Sequence, residues 1–385
     1  MGHYDACPFC LLTLAAYAGR THHDSKAASM PDTHKYSMPS TWLALIVATT
    51  ALLTAYPAGL AEEAPAAVKA WLVPQLWERD AGPVVSLGEE GAFDDTHLFA
   101  PAVVRSDEEF WLYYCGSQGT VGQRVFQLGL STSSDGVRFT KLAANPVYAF
   151  GDGRHSVLTP TLLRTTEGQP ILEQGRWQMW FSATHFAGSS GRHTLHRATS
   201  ADSKDWSAPS KPLLDNVYAP TILKQDDVYH LWYTDVSNDP WIFRHAVSAD
   251  GDRWEVDDEP VLKLDQAWEQ GRLFYPTVIA IDGVYLMWYG SYWSKQSSKT
   301  ALGFAASVDG RRWFKHAENP VFRPDPSRDW ESHYTTSQSV IRLADGSLRM
   351  WYASRTRPPF VHKYFAIGSA RWSQQLPPTM EPNRE

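Results

Sequence analysis

The side chains in this sequence best suited to proton transfer are scattered carboxylates: Asp94, Asp95, Asp215, Glu269 and Glu331. Each lies a few residues ahead of a short apolar segment, in stretches that also carry His97, Arg154, His155, Asn216, Arg272 and His333. A further set, His185, Asp235, Tyr292 and Arg355, follows aromatic runs downstream. Two carboxyl groups whose surroundings separate their pKa values can divide the work of acid and of base or nucleophile. Arginine forks suit a carboxylate, sulfate or phosphate. The acids are far apart in sequence, so only a fold that gathers their loops can make them a site.

That fold is written as a repeat. One full copy reads through 274–278, 286–289, 303–313 and 319–322, as short Val-, Tyr-, Trp- and Phe-rich runs bounded by Gly, Asp or Asn. Such runs are β-strands, and Asp282-Gly283 supplies a hairpin turn between the first two. The aromatic strand recurs at 112–114, 179–181, 231–233, 287–289 and 350–352. The strand before it is led by Pro101, Pro160, Pro220 and Pro276, while the fifth copy, 335–340, lacks the proline. A Ser-x-Asp turn opens at Ser133, Ser200, Ser248 and Ser307, and is absent from the last copy. A Pro-Val or Pro-Leu strand opens at Pro146, Pro212, Pro260 and Pro320, and once more at Pro83, ahead of the first full repeat. The segment 77–94 therefore reads as the outer strand of the last repeat, moved to the front.

The expected fold is all-β: a five-bladed β-propeller of four-stranded antiparallel blades, its last blade closed by the N-terminal strand. The repeats span 71–373 of 385 residues, and a composition 43% hydrophobic and 13% aromatic is ample for a core. A net charge of −7 gives no reason to expect nucleic acid, whose binding calls for a basic face. Residues 1–61 stand outside the repeats. The apolar run 42–55, with Lys35 before it and Gly59 and Ala61 after it, reads as a signal peptide, which makes the protein secreted or periplasmic, with no stable membrane insertion after cleavage. Residues 62–70 are a linker and 374–385 a loose tail. Cys7 and Cys10 form a CxxC with no second pair, and Cys115 is expected as a buried thiol.

The order Pro-Val, Trp-Glu, Pro-Thr-Val, Asp-Gly, Met-Trp-Tyr, Ala-x-Ser-x-Asp-Gly-x-x-Trp resembles the five-bladed superfamily of arabinanases, β-xylosidases, invertases and levansucrases, and the family 130 mannoside phosphorylases. The turns 248–254 and 307–313 resemble the Asp boxes of sialidases, one residue shorter. Their repetition gives them a structural role, the Asp capping the hairpin and the Trp packing between blades. The resemblance implies a site where the first strand of each blade begins, with carboxylates contributed by several blades. Retaining enzymes of this kind hold the working carboxyls about 5–5.5 Å apart and inverting ones about 6.5–9.5 Å.

The chain departs from the family where that family carries Asp before the first proline: Ala100 stands here, and Thr159, Ala219 and Tyr275 occupy the later equivalents. On the resemblance, Asp95 is the candidate base or nucleophile, Glu269 the proton donor and Asp215 the group that tunes it. His97, Arg154, His155, His185, Asp235, Arg272, Tyr275, Tyr292, Glu331, His333 and Arg355 are the candidate substrate contacts. Against the catalytic assignment of Glu269, the pairs Phe93-Asp94, Trp268-Glu269 and Trp330-Glu331 recur in one register, the pattern of a structural clip. The expected ligand is a carbohydrate, anionic if the arginines face it. No organic cofactor is called for, and no His-x-His spacing supports a metal ion on the axis. Three readings stand at this stage: an exported glycoside hydrolase, a non-catalytic carbohydrate-binding propeller, and a phosphorylase acting on a glycoside.

Overall fold

In the computed structural model, residues 63–106, 108–120, 124–186, 192–357 and 365–373 are described. The presumed signal, the CxxC and the tail lie outside them, as does nearly all of a second compact unit, Leu14–Ala64. Among the described residues no helix is long and apolar enough to cross a membrane. Among the described residues the one α-helix, Ala66–Lys69, is a single turn in the expected linker, with Val68 buried.

Every repeat folds as its alternation dictates. Unit 1 is the antiparallel sheet His97–Ser106, Glu109–Ser117, Gln127–Ser133 and Thr140–Lys141. Unit 2 is Ser156–Leu162, Trp177–Thr184, Thr194–Ser200 and Leu214–Asp215. Unit 3 is Val217–Gln225, Val228–Asp235, Ile242–Ser248 and Glu255–Val256. Unit 4 is Leu273–Ile281, Val284–Ser294, Lys299–Ser307 and Phe314–Lys315. Unit 5 has Tyr334–Arg342, Leu348–Arg355 and Phe365–Trp372, and its outer edge is covered from the other end of the sequence. Glu78 pairs with Arg371, and Val85 with Ile367. Units 4 and 5 are joined into one sheet by a single parallel pair, Thr300 with Tyr334.

The first strands of units 1 to 5 pack side by side in order, and that of unit 5 packs in turn on that of unit 1. Each unit thus has two ends. At the leading end the first strands begin; at the turn end they fold back into the second.

The turn end repeats the same latch. In the turn of unit 3, Ser248 Oγ accepts the N–H of Asp250 (3.2 Å) and Gly251 (2.9 Å), while Asp250 Oδ1 accepts those of Asp252 and Arg253. These donors hold the Asp250 carboxyl well below the usual carboxylate range. The bend frees one carbonyl, which accepts a hydrogen bond from an aromatic side chain of the preceding unit. Trp180 Nε1 donates to Gly251 O (2.8 Å), Trp232 to Gly310 O (2.7 Å) and Trp351 to Gly136 O (2.9 Å). The Tyr113 hydroxyl donates to Ser203 O (2.7 Å), Ser203 taking the left-handed conformation that Gly takes elsewhere. The sequence of unit 5 carries no Ser-x-Asp turn, and Trp288 donates to Gln75 Oε1 (3.0 Å) on the N-terminal segment. The donors bury their whole ring in the process: Trp180, Trp232, Trp288 and Trp351 are all fully buried.

Candidate functional site

Each first strand is interrupted at the same place. The residue before the proline, or before Gln338 in unit 5, sits in a register shift and adopts positive φ: Ala100 (53°), Thr159 (48°), Ala219 (50°), Tyr275 (57°) and Ser337 (40°). None is glycine. A β-bulge built on a left-handed L-residue costs about 1–3 kcal/mol, and such strain persists where the surroundings enforce it. Here they do: Ala100 N–H donates to Ser337 Oγ (3.1 Å), and Thr159 N–H to the buried Cys115 Sγ (3.2 Å). Lacking proline, unit 5 holds its bulge through Gln338 Nε2, which donates to Tyr275 O (2.8 Å) and Trp288 O (2.7 Å). The five bulges surround a central cavity of about 60 Å³.

Above the bulges, at the leading end, a buried and largely aromatic cluster packs together. Phe99 meets Phe126 edge-on at 5.1 Å, and His97 packs between Phe126 (5.7 Å) and Phe365 (5.4 Å). Arg124 lies 4.1 Å over Phe186. His193 faces Tyr218 at 4.8 Å, Tyr218 faces Tyr275 at 5.3 Å, and the two phenol oxygens are hydrogen-bonded to each other. Trp241 packs on Tyr218 under the Arg272 guanidinium (4.3 Å), Phe274 meets Tyr292 at 5.5 Å, and Arg355 covers Tyr334 at 4.2 Å. Burial drives the His193 imidazole down to about 3; burial, with the charges of Arg355 and Lys299, drives that of His333 to about 4. Both are neutral at physiological pH.

Of the sequence candidates, this cluster gathers His97, Arg272, Tyr275, Tyr292 and Arg355, with His333 attached to Arg355 through a backbone hydrogen bond (3.2 Å). It also holds Phe126, Phe186, His193, Tyr218 and Trp241, which sequence reasoning passed over. Their signal was position, since they start a first strand, start a third strand or follow a second. Arg154, His155 and His185 stand together on the rim of unit 2. The Asp152 carboxylate accepts His155 Nδ1–H at 2.5 Å and the N–H of Arg154 at 2.9 Å, and the His155 and His185 rings are 5.5 Å apart.

The carboxylates are mostly engaged elsewhere. Glu269 is buried and accepts the Tyr289 hydroxyl (2.8 Å), the Lys315 ammonium (2.7 Å) and the N–H of Asp265 and Gln266. Asp94 takes the Tyr114 hydroxyl (2.9 Å) and Lys141, and Glu331 takes the Tyr352 hydroxyl, Arg79 and Arg328. All three bind a second-strand tyrosine and a cation on the outermost strand, which lies three strand spacings, about 14 Å, from the first strand. Asp215 lies on the outermost strand of unit 2, half exposed, 3.3 Å from Arg192. Asp235 accepts Arg244 Nε (2.8 Å), and Arg272 also pairs with Asp239. Asp95 is the exception in place. It is buried two residues ahead of His97, accepting the Gly91 N–H (2.9 Å) and the Thr96 hydroxyl (2.6 Å).

No known protein-family signature matches the chain. Two uncharacterised proteins of Mycobacterium tuberculosis, strains CDC 1551 / Oshkosh and ATCC 25618 / H37Rv, are each 23% identical over 223 residues, 54% of this chain and 72% of theirs. Similar solved structures include a glycoside hydrolase (TM-score 0.63, 15% identity, 80% of this chain and 96% of that one). Another comes from the GH130 mannoside phosphorylases, a family described as containing glycoside hydrolases that target β-1,2 mannosidic linkages in Candida mannan (0.56, 18%, 80% and 97%). A third is an N-acetylgalactosamine deacetylase from F. plautii in complex with blood group B trisaccharide (0.58, 17%, 77% and 97%). The resemblance read from the repeats holds at the level of the fold: this chain shares the architecture of glycoside hydrolase-like propeller proteins, with the member family unresolved.

Proposed function

We propose that the chain is a carbohydrate-active protein of the O-glycosidase class, built as a five-bladed ring whose last blade is closed by the N-terminal strand. The observation that carries this reading is the aromatic, arginine-flanked cluster at the leading end, on a fold shared with glycoside hydrolases. Apolar faces edged by a few fixed polar groups are what a concave ligand site needs. In this reading a saccharide docks against Trp241, Tyr275 and Tyr292, with Arg272 and Arg355 turned to its anionic or hydroxyl groups. Asp95 serves as base or nucleophile, because of the proposed carboxylates it alone is buried within two residues of the start of a first strand. Glu269 and Asp215 do not fill the remaining roles: one braces the outermost strand and the other lies on the rim. Export through the segment 42–61 belongs to the same proposal.

One observation favours a second reading, a carbohydrate-binding ring without catalysis: no carboxylate stands at any of the five bulges. The test is release of reducing sugar from a panel of neutral and anionic oligosaccharides, with and without phosphate, by the wild type and Asp95→Asn. Turnover lost in the variant supports the glycosidase, and dependence on phosphate moves the reaction to phosphorolysis. Binding by both proteins without turnover establishes the second reading.

A further inference from the structure

The central cavity has an asymmetric end. Between its first and second strands unit 2 carries a short hairpin, Arg164 bridging to Pro170, that reaches units 1, 4 and 5. Arg105 N–H donates to Gly168 O (2.7 Å), Thr166 Oγ1 donates to Ala280 O (2.7 Å), and Arg342 N–H donates to Thr166 O (2.9 Å). The hairpin brings Arg164 to the cavity wall. Arg164 Nη2 donates to Val340 O (2.9 Å), whereas Nη1 is buried with no hydrogen-bond partner. Among the described residues no carboxylate lies within ion-pair distance of it, and the exposed Glu167 acts only at longer range. Partial burial of the guanidinium lowers its pKa, and the distant Glu167 offsets only part of that.

The rest of the wall has a surplus of donors. Thr159 Oγ1 is buried without a partner. Thr161, Ser337 and Ser339 each accept a backbone N–H, from Ile222, Ala100 and Val103, so each hydroxyl proton is left to point elsewhere. Among the side chains of the wall, the orphaned acceptor is Gln338 Oε1. Unsatisfied buried groups in a native protein mark an ordered water or ion, and a cavity near 60 Å³ holds one small ion with a water or two.

We propose that the turn end of the central cavity is a binding site for a small monovalent anion, a halide, held by Arg164 Nη1 and the hydroxyls of Thr159, Thr161, Ser337 and Ser339, with a water of its shell donating to Gln338 Oε1. The site is separate from the carbohydrate reading and stands or falls without it.

The test uses the full chain, melted in sodium chloride, sodium bromide and sodium gluconate at matched ionic strength, with bromide-soaked crystals measured for anomalous scattering. A saturable rise in Tm with chloride and bromide but not gluconate is expected, with a bromide peak in hydrogen-bonding reach of Arg164. Arg164→Gln should weaken the halide dependence by about tenfold or more, the worth of a charged hydrogen bond. Thr159→Val, which leaves the hairpin intact, should weaken it less. Equal melting in all three salts, or a cavity without bromide, overturns the proposal.

Discussion

The two ends of the repeat units obey different rules. At the turn end every unit solves one problem in one way, an aromatic donor of one unit reaching a carbonyl of the next, with Gln75 supplying the acceptor where the sequence of unit 5 carries no Ser-x-Asp turn. At the leading end the side chains change from unit to unit: His97 and Phe99, then His155 and His185, then Tyr218 and Trp241, then Tyr275 and Tyr292, then Tyr334 and Arg355. Repetition is the sign of a requirement that each unit shares, which is assembly. Variation is the sign of a surface whose residues answer to something outside the fold. The turn end should therefore answer to substitution in stability, and the leading end in binding.

The comparison breaks most easily at a latch. Trp232→Ala removes a fully buried ring and its bond to Gly310, and should cost about 3–5 kcal/mol in urea unfolding. If it costs no more than a surface change, the latches are not what joins the units. Gln75→Ala orphans the indole of Trp288 and removes a bond from Trp77, with an expected loss of about 1–3 kcal/mol. A loss confined to the N-terminal segment, with units 1 to 4 still protected from hydrogen exchange, would show that the fifth latch is independent of the other four.

The two ends should also titrate in different windows. A histidine whose pKa is depressed on folding stabilises fully above its unfolded value, about 6.5, and that stability is lost as pH falls through the folded value. His193, at about 3, and His333, at about 4, place this loss at the leading end between about pH 6.5 and 3, a window that His230, near 4, shares beneath the turn of unit 4, so that the ends differ in their carboxylates. The turn carboxylates Asp135, Asp202, Asp250 and Asp309 are likewise depressed, so their contribution is present above about pH 3.9 and fades below it. In Tm measured against pH, His193→Gln should flatten the upper limb and Asp250→Asn the lower one. The reverse assignment would sink the division. The smallest expected effect is that of Arg154→Ala, exposed on the rim, within about 0.5 kcal/mol of wild type. A change in carbohydrate affinity at that constant stability would sharpen the contrast.

This difference also sets what the sequence disclosed. Strands, turns and the displaced outer strand were legible because the same backbone geometry recurs and demands the same residues, down to the proline after four of the five bulges. The sequence offered Glu269 both as a proton donor and, with Asp94, as part of a recurring aromatic-acid clip, because these acids are as regular as the turns. Each follows an aromatic residue and each binds a tyrosine and a lysine, so their recurrence was the warning. Tyr218, Trp241 and His193 were hidden for the opposite reason: each occurs once, and nothing local distinguishes a site tyrosine from a core tyrosine. Arg164 lay in a hairpin that no repeat predicts, and only its reach to units 1, 4 and 5 brings it to the cavity.

The pairing of Glu78 with Arg371 has a consequence for the order of events in folding. Units 1 to 4 are hairpins between neighbours in sequence, and each can form as soon as its own residues exist. The contact between Asp80 and the Ser369 hydroxyl spans 289 residues and must wait for the last strand. Its closure entropy is modest, since each doubling of a loop adds only about 0.6 kcal/mol, but so distant a contact comes late. Until then the strand Phe365–Trp372 presents an open edge to any passing chain. A pull on the N-terminal segment would undo the assembly in reverse, stripping the clasp first and leaving four finished units behind.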